Sequence, residues 1–308
     1  MDADCWGSCR MQASTRRWTV PTRRMSGVML LVAAASLGSG AAGTPASSLA
    51  LQSPDGTLTL VLARTAAGGW THALNIGRDV VLEPSALGIV VDGRNLADGA
   101  DVRGVERYQM DERYPWRGVH ATAVNRCRGA RLALTHLATR TAWTIDARAC
   151  DDGIAFRYLV PGDAPDGRTP DEATTFRWAA GTTVWYHDFE GHYEGVHTRQ
   201  DISDVPVGGW AAPPLTVQLP GGAGYASVTE AALVGYSGMA LRADGERGFR
   251  ARLGHDEPVS YPYRLRYPVE EAQRLARAAV ITGPITSPWR VVIAGRTLDA
   301  LVNADLVH

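Results

Sequence analysis

The chain of 308 residues contains no lysine, so all 31 of its cationic side chains are arginine. Against 32 acidic residues they leave a net charge of −1. No basic stripe marks a nucleic-acid partner, and no acidic or basic tail is present. Long apolar runs are also missing. The longest, from Val28 to Ala35, is too short to span a bilayer, and no second run approaches that length, so no membrane span is expected. The four cysteines are Cys5, Cys9, Cys127 and Cys150, and Cys127 and Cys150 stand too far apart for zinc-site spacing. There is no Gly-x-Ser-x-Gly, no phosphate-binding Gly-x-x-x-x-Gly-Lys and no dinucleotide fingerprint. Each of those chemistries is therefore without its usual sequence carrier.

What is present begins with an export signature. Arg16, Arg17, Arg23 and Arg24 precede the run Val28-Met29-Leu30-Leu31-Val32, and Ser39-Gly40-Ala41-Ala42-Gly43 follows it. A basic flank, an apolar segment and a small-residue exit describe a signal peptide over 25–43, with cleavage near Ala42 or Gly43. Met25 is then an alternative start, with residues 1–24 an extension expected to take no part in the fold. The expected location is periplasmic or secreted, where Cys127 and Cys150 meet oxidising conditions.

The mature part reads as all-β. Leu58–Leu62, Gly88–Asp92 and Ala155–Val160 alternate or run apolar over strand length, and Pro54-Asp55-Gly56, Asp92-Gly93 and Asp152-Gly153 separate such runs with turn chemistry. The sum is a sandwich of sheets. One hairpin is testable internally, because facing residues in an antiparallel pair have numbers with a constant sum. A sum of 277 sets Leu132 against Ile145 and Leu134 against Trp143 on one side, and Arg131 against Asp146 and Cys127 against Cys150 on the other. Facing positions predict a Cys127–Cys150 disulfide, with two buried thiols as the alternative. The turn Leu137–Arg140 lacks Asn-Gly and is expected as a four-residue loop. Short helices are expected over Glu270–Arg277 and from Leu298 toward Val307, and residues 161–173 as a surface loop.

The densest polar stretch runs from Trp185 to Arg199, with His187, His192, His197, Asp188, Glu190 and Glu194 among four aromatics. Carboxylates there suit a hard cation such as Ca²⁺, and aromatic rings suit a sugar face. The histidines recur every five residues, which puts them on one face of neither helix nor strand, so a histidine metal site is weakly supported. A solvated loop is the plain alternative. Glu230, in or beside an apolar strand, is expected to have a structural charge partner, with a place at a site edge as the alternative.

Taken in order, Ser53-Pro54-Asp55-Gly56, Leu82-Glu83-Pro84-Ser85-Ala86-Leu87-Gly88, Asp151-Asp152-Gly153-Ile154-Ala155-Phe156-Arg157-Tyr158, Tyr193-Glu194, Pro214-Leu215-Thr216, Thr229-Glu230-Ala231-Ala232-Leu233 and Ser287-Pro288-Trp289-Arg290-Val291-Val292 resemble the N-terminal domain of glycoside hydrolase family 97. The resemblance covers residues 51–308. It implies a β-supersandwich of the galactose-mutarotase-like kind over 51–295, with 296–308 beginning a linker to a (β/α)8 barrel that this sequence does not contain. It further implies calcium-dependent α-glucosidases and α-galactosidases whose catalytic carboxylates lie on that barrel, with oligosaccharide as substrate. On this resemblance no catalytic residue lies in the chain, which alone is expected to be inactive. Glu194 matches the glutamate that joins the calcium ligands, with Glu190 as the fallback. Glu190, His192 and Tyr193 are the implied sugar contacts. Two other readings stay open: a stand-alone carbohydrate-binding or scaffolding module, and a mutarotase-like sugar isomerase using His192 and Glu194.

Overall fold

Two antiparallel sheets face each other across a single apolar layer. The computed structural model describes residues 48–188, 195–253 and 279–307. The first sheet has eight strands in the spatial order Ser48–Gln52, Leu58–Arg64, Trp70–Ile76, Asp79–Leu87, Thr175–Arg177, Gly248–Leu253, Met239–Ala243 and Trp210–Ala211. The second has ten, in the order Thr198–Asp201, Thr183–Tyr186, Leu215–Gln218, Tyr225–Ala231, Trp289–Gly295, Gly153–Val160, Thr141–Cys150, Thr122–His136 and Ala100–Pro115, with Ile285–Thr286 also paired to Gly153–Val160. A small third sheet joins Pro170–Glu172, Ile89–Val91 and Arg94–Asn95.

Period-two patterning decides which side chains meet. Leu58, Leu60 and Leu62 alternate with partly exposed neighbours and point inward from the first sheet. Leu132, Leu134, Trp143 and Ile145 do the same from the second. The hairpin that carries them keeps the sum of 277 throughout, from Cys127 opposite Cys150 to His136 opposite Thr141. Its loop is Leu137–Arg140, with Arg140 at φ 58°. Cys127 and Cys150 are joined by a disulfide on the outer face of this sheet.

Gly153–Val160 and Trp289–Gly295 are buried on both faces, which is why they read as apolar runs, interrupted by Arg157 and Arg290, rather than as alternating ones. Their outer face carries Ala155, Trp289, Val291 and Ile293, and the C-terminal segment covers it with Leu301, Ala304, Leu306 and Val307. The helix expected from Leu298 toward Val307 spans only Leu298–Val302, capped by the Thr297 hydroxyl. It stops because the Asp152 carboxylate accepts the amides of Asp305 at 2.6 Å and Leu306 at 2.9 Å, which a continuing helix would need for itself. The expected loop 161–173 is likewise cut short. Pro170–Glu172 pairs with Ile89–Val91 as a strand, drawn in by the buried Glu172. The segment Glu270–Arg277 lies outside the described residues.

His72 is the inward-facing residue that breaks the apolar pattern of Trp70–Ile76. It is fully buried between Phe156 and Phe176, with ring centres 4.8 and 5.6 Å away. Nε2 lies 2.8 Å from the Thr175 carbonyl, which only accepts, so Nε2 carries the proton and Nδ1 is left without a partner. Burial pulls its pKa from the ordinary 6.5 to about 4, against the smaller opposing effect of the Thr175 bond. The folded state therefore resists a proton that the unfolded chain accepts. This costs nothing above pH 6.5, grows as pH falls toward 4 and then levels off. At about 1.4 kcal/mol per pH unit, wild type should lose roughly 3 kcal/mol relative to His72→Leu across that window. Urea unfolding of both proteins at a series of pH values measures the difference; parallel profiles would show that His72 is not the titrating group.

Candidate functional site

The strand Thr183–Tyr186 buries Val184 and Tyr186 and turns Thr183 and Trp185 outward. It pairs with Thr198–Asp201 so that Tyr186 faces Thr198 and Thr183 faces Asp201, a sum of 384. One step further along the same register stand His187 and His197. Their ring centres are 5.0 Å apart in an edge-on arrangement. The five-residue spacing argument treated these histidines as members of one element, whereas they sit on the two feet of a hairpin. The antiparallel sum was the signal that pairs them.

The feet are fixed. The His187 carbonyl accepts from Ala212 N at 2.9 Å, and His187 Nδ1 lies 2.6 Å from the Asp188 carbonyl. The Tyr186 hydroxyl accepts from Gln200 Nε2 at 3.2 Å, and the Arg199 guanidinium stands 5.3 Å from the centre of the Trp185 ring. Burial, and then the charge of Asp188, push the Tyr186 pKa up. Beside these feet the chain passes through the cis peptide Pro213–Pro214 into Leu215–Gln218. Glu190, His192, Tyr193 and Glu194, which connect the feet, lie outside the described residues. Among the described residues, no group of three His, Cys, Asp or Glu side chains is placed to hold a metal ion.

Further along the same sheet, beyond Leu215–Gln218, lies a charge network that sequence reasoning found only in part. Trp185 faces Thr216, Thr216 faces Ser227, and Ser227 faces Ile293. Three residues along from that row, Glu230 faces Arg290. Arg290 is fully buried, and its guanidinium meets Glu172 at 2.5 Å and Glu230 at 2.5 Å. Burial opposes the charge on Arg290, but Glu172 and then Glu230 outweigh it and raise its pKa. Glu230 also accepts from Met239 N at 3.1 Å. Behind Glu172, Thr174 donates to its carboxylate at 3.2 Å and pairs with the Tyr158 hydroxyl at 2.7 Å, which in turn accepts from Gly88 N. Glu230 thus has the structural partner its position called for. Arg290 and Glu172 were missed, although a lone charge inside Trp289-Arg290-Val291-Val292 was the available clue.

Removing the guanidinium leaves two carboxylates without compensation, one of them fully buried. Arg290→Met should therefore cost about 3–5 kcal/mol in chemical denaturation, whereas Arg64→Met, which breaks a half-exposed pair with Asp101, should cost under about 1 kcal/mol. Equal costs would mean that the buried network is not what holds this region.

A family profile described as Glycosyl-hydrolase 97 N-terminal matches residues 51–308. The chain is 28% identical over 255 residues to a probable retaining alpha-galactosidase of Streptomyces bingchenggensis, covering 82% of this chain and 34% of that protein. It is 24% identical over 278 residues to the retaining alpha-galactosidase of Bacteroides thetaiotaomicron, covering 84% and 40%. The chain therefore spans well under half the length of these curated relatives. Among solved structures, a glycoside hydrolase family 97 enzyme from a Pseudoalteromonas species in complex with panose superposes with a TM-score of 0.68 at 22% identity, covering 84% of this chain and 37% of that one. A beta-arabinopyranosidase superposes at 0.66 and 18% identity, covering 81% and 40%. At those identities the structural likeness speaks to the fold alone.

Proposed function

This chain belongs to the glycosyl-hydrolase 97 N-terminal family, and from that premise we propose that it supports the active site of an exported α-glycosidase. The observation that carries the reading is the family match across 51–308, which includes the hairpin whose feet are His187 and His197. The connection between those feet contains Glu190, His192, Tyr193 and Glu194. Acid, imidazole and phenol side chains on a short connection suit contacts to sugar hydroxyls, because together they donate and accept. Both curated relatives are named as retaining alpha-galactosidases, which favours an α-galactoside over an α-glucoside as the substrate class.

Glycoside hydrolysis requires a pair of carboxyl groups held roughly 5–9.5 Å apart across the scissile bond. In this reading that pair belongs to the barrel of the family, and this chain binds and orients the sugar. Glu194 is proposed as one calcium ligand. A single carboxylate supplies at most two of the roughly six to eight oxygens the ion takes. The described residues add no cluster that completes the shell, so they do not by themselves fit a calcium site. The ion enters no step assigned to this chain.

Two measurements on purified residues 1–308 test this reading. With an aryl α-galactoside the chain should release no phenol above the buffer rate, and calcium titrated by calorimetry should bind no more tightly than millimolar, with Glu194→Gln removing what binding there is. Turnover that disappears in Glu190→Gln or Glu194→Gln would place catalysis in this chain and overturn the supporting role.

A further inference from the structure

The outer face of the ten-stranded sheet holds a cavity of about 350 Å³ that the hairpin at His187 and His197 does not touch. That volume is in the range of small-molecule sites. Strand parity assembles its walls. Met110, Glu112 and Tyr114 lie at alternate positions of Ala100–Pro115 and so share one face. Glu112 stands directly opposite Asn125, and Met110 opposite Cys127, whose disulfide to Cys150 ties the next strand into the same wall. Arg148, Ala155 and Trp289 continue the face across three further strands. Leu306 and Val307 close one side, held there by Asp152.

The chemistry of the lining is distinctive in what it leaves unused. Nearby on the same face, Asp146 is satisfied by Tyr108 at 2.6 Å and Arg157 at 3.1 Å. The cavity's own polar groups are not used up in this way. Asn125 is buried and donates from Nδ2 to the Tyr114 hydroxyl at 2.9 Å, which leaves its Oδ1 as an acceptor. Arg148 donates from Nε to the Tyr108 hydroxyl at 3.0 Å and rests 4.2 Å from the centre of the Trp289 ring, leaving both terminal nitrogens as donors. Arg148 and Glu112 share the cavity without forming an ion pair with each other. A carboxylate, an amide oxygen and a guanidinium fork are thus presented beside the apolar Met110 and Ala155.

We propose that this cavity is a saccharide-binding site separate from the His187–His197 hairpin, in which Glu112 and Asn125 accept from sugar hydroxyls, Arg148 donates to them, and Met110 and Ala155 meet the apolar C–H face. A neutral polyol fits because each hydroxyl both donates and accepts, so one ring serves acceptors and donors side by side. The Trp289 ring is taken by the guanidinium groups of Arg148 and Arg157, 4.2 and 4.3 Å from its centre, and so holds Arg148 in place rather than meeting the sugar. The choice of a saccharide over another neutral polyol rests on the glycosidase reading; the cavity and its unused polar groups do not.

Melibiose and maltose, titrated into residues 1–308 and followed by ligand-observed NMR and calorimetry, test the site. At least one disaccharide should bind, Glu112→Gln and Arg148→Met should each weaken it by about tenfold or more, and Arg64→Met, in a half-exposed pair outside both sites, should leave it unchanged. Glu112 is exposed, so its variant keeps the fold if Arg148→Met does not. Binding lost in Glu194→Ala but kept in Glu112→Gln would move the sugar to the hairpin and overturn the cavity while leaving the glycosidase reading intact. Displacement of the sugar by free glycine, with Glu112 and Arg148 taking its ammonium and carboxylate, would overturn the saccharide assignment. No binding by either disaccharide would overturn it as well.

Discussion

A guanidinium with no exposed surface is expensive to bury, and it persists here only because two carboxylates surround it. Arg290 comes from the ten-stranded sheet, Glu172 from the small third sheet, and Glu230 reaches on to the backbone of Met239 in the eight-stranded sheet. One cation thereby links all three sheets. The Thr174 and Tyr158 hydroxyls extend the linkage to the backbone at Gly88. Apolar packing between the sheets is non-directional, so it does not fix how strand ends align; a forked ion pair does. The strand ends it aligns, near Ala231 and Trp289, lie in the same sheet as the hairpin that carries His187 and His197, with Leu215–Gln218 between them.

Interactions confined to one hairpin were legible in the sequence. The sum of 277 needed only three kinds of agreement, apolar, charged and cysteine, and the strand pairs follow it without a shift. Signals from pairs far apart in the chain were not. Glu172 and Arg290 are separated by 118 positions, and nothing local names one as the other's partner. Asp152 shows the same limit. Its turn with Gly153 was readable, but its capture of the amides of Asp305 and Leu306, which ends the last helix at Val302, was not. Arg131 was correctly set opposite Asp146, yet its Nε stands 3.9 Å away while Arg157 and Tyr108 are nearer. Register gives neighbours; it does not rank them.

The candidate site was legible as composition more than as geometry. A stretch with three histidines and several acids stood out, and the family resemblance singled out Glu194 within it. The contact between His187 and His197 needed the sum of 384, which the same arithmetic would have supplied had the stretch been read as a hairpin. The outer-face cavity was invisible for another reason. Glu112, Asn125, Arg148 and Trp289 lie on four strands, each unremarkable alone, and only the order of strands in the sheet collects them.

The central claim is that Arg290 aligns the strand ends of the three sheets. Hydrogen exchange read by mass spectrometry on wild type and Arg290→Lys tests it directly, since lysine keeps the charge but loses the planar fork. The account predicts faster exchange confined to the amides of Thr229–Ala231, Met239–Ala243 and Trp289–Gly295, with the hairpin Thr122–Cys150 as protected as before. Unchanged exchange in those segments, or an equal loss in the hairpin, would contradict it.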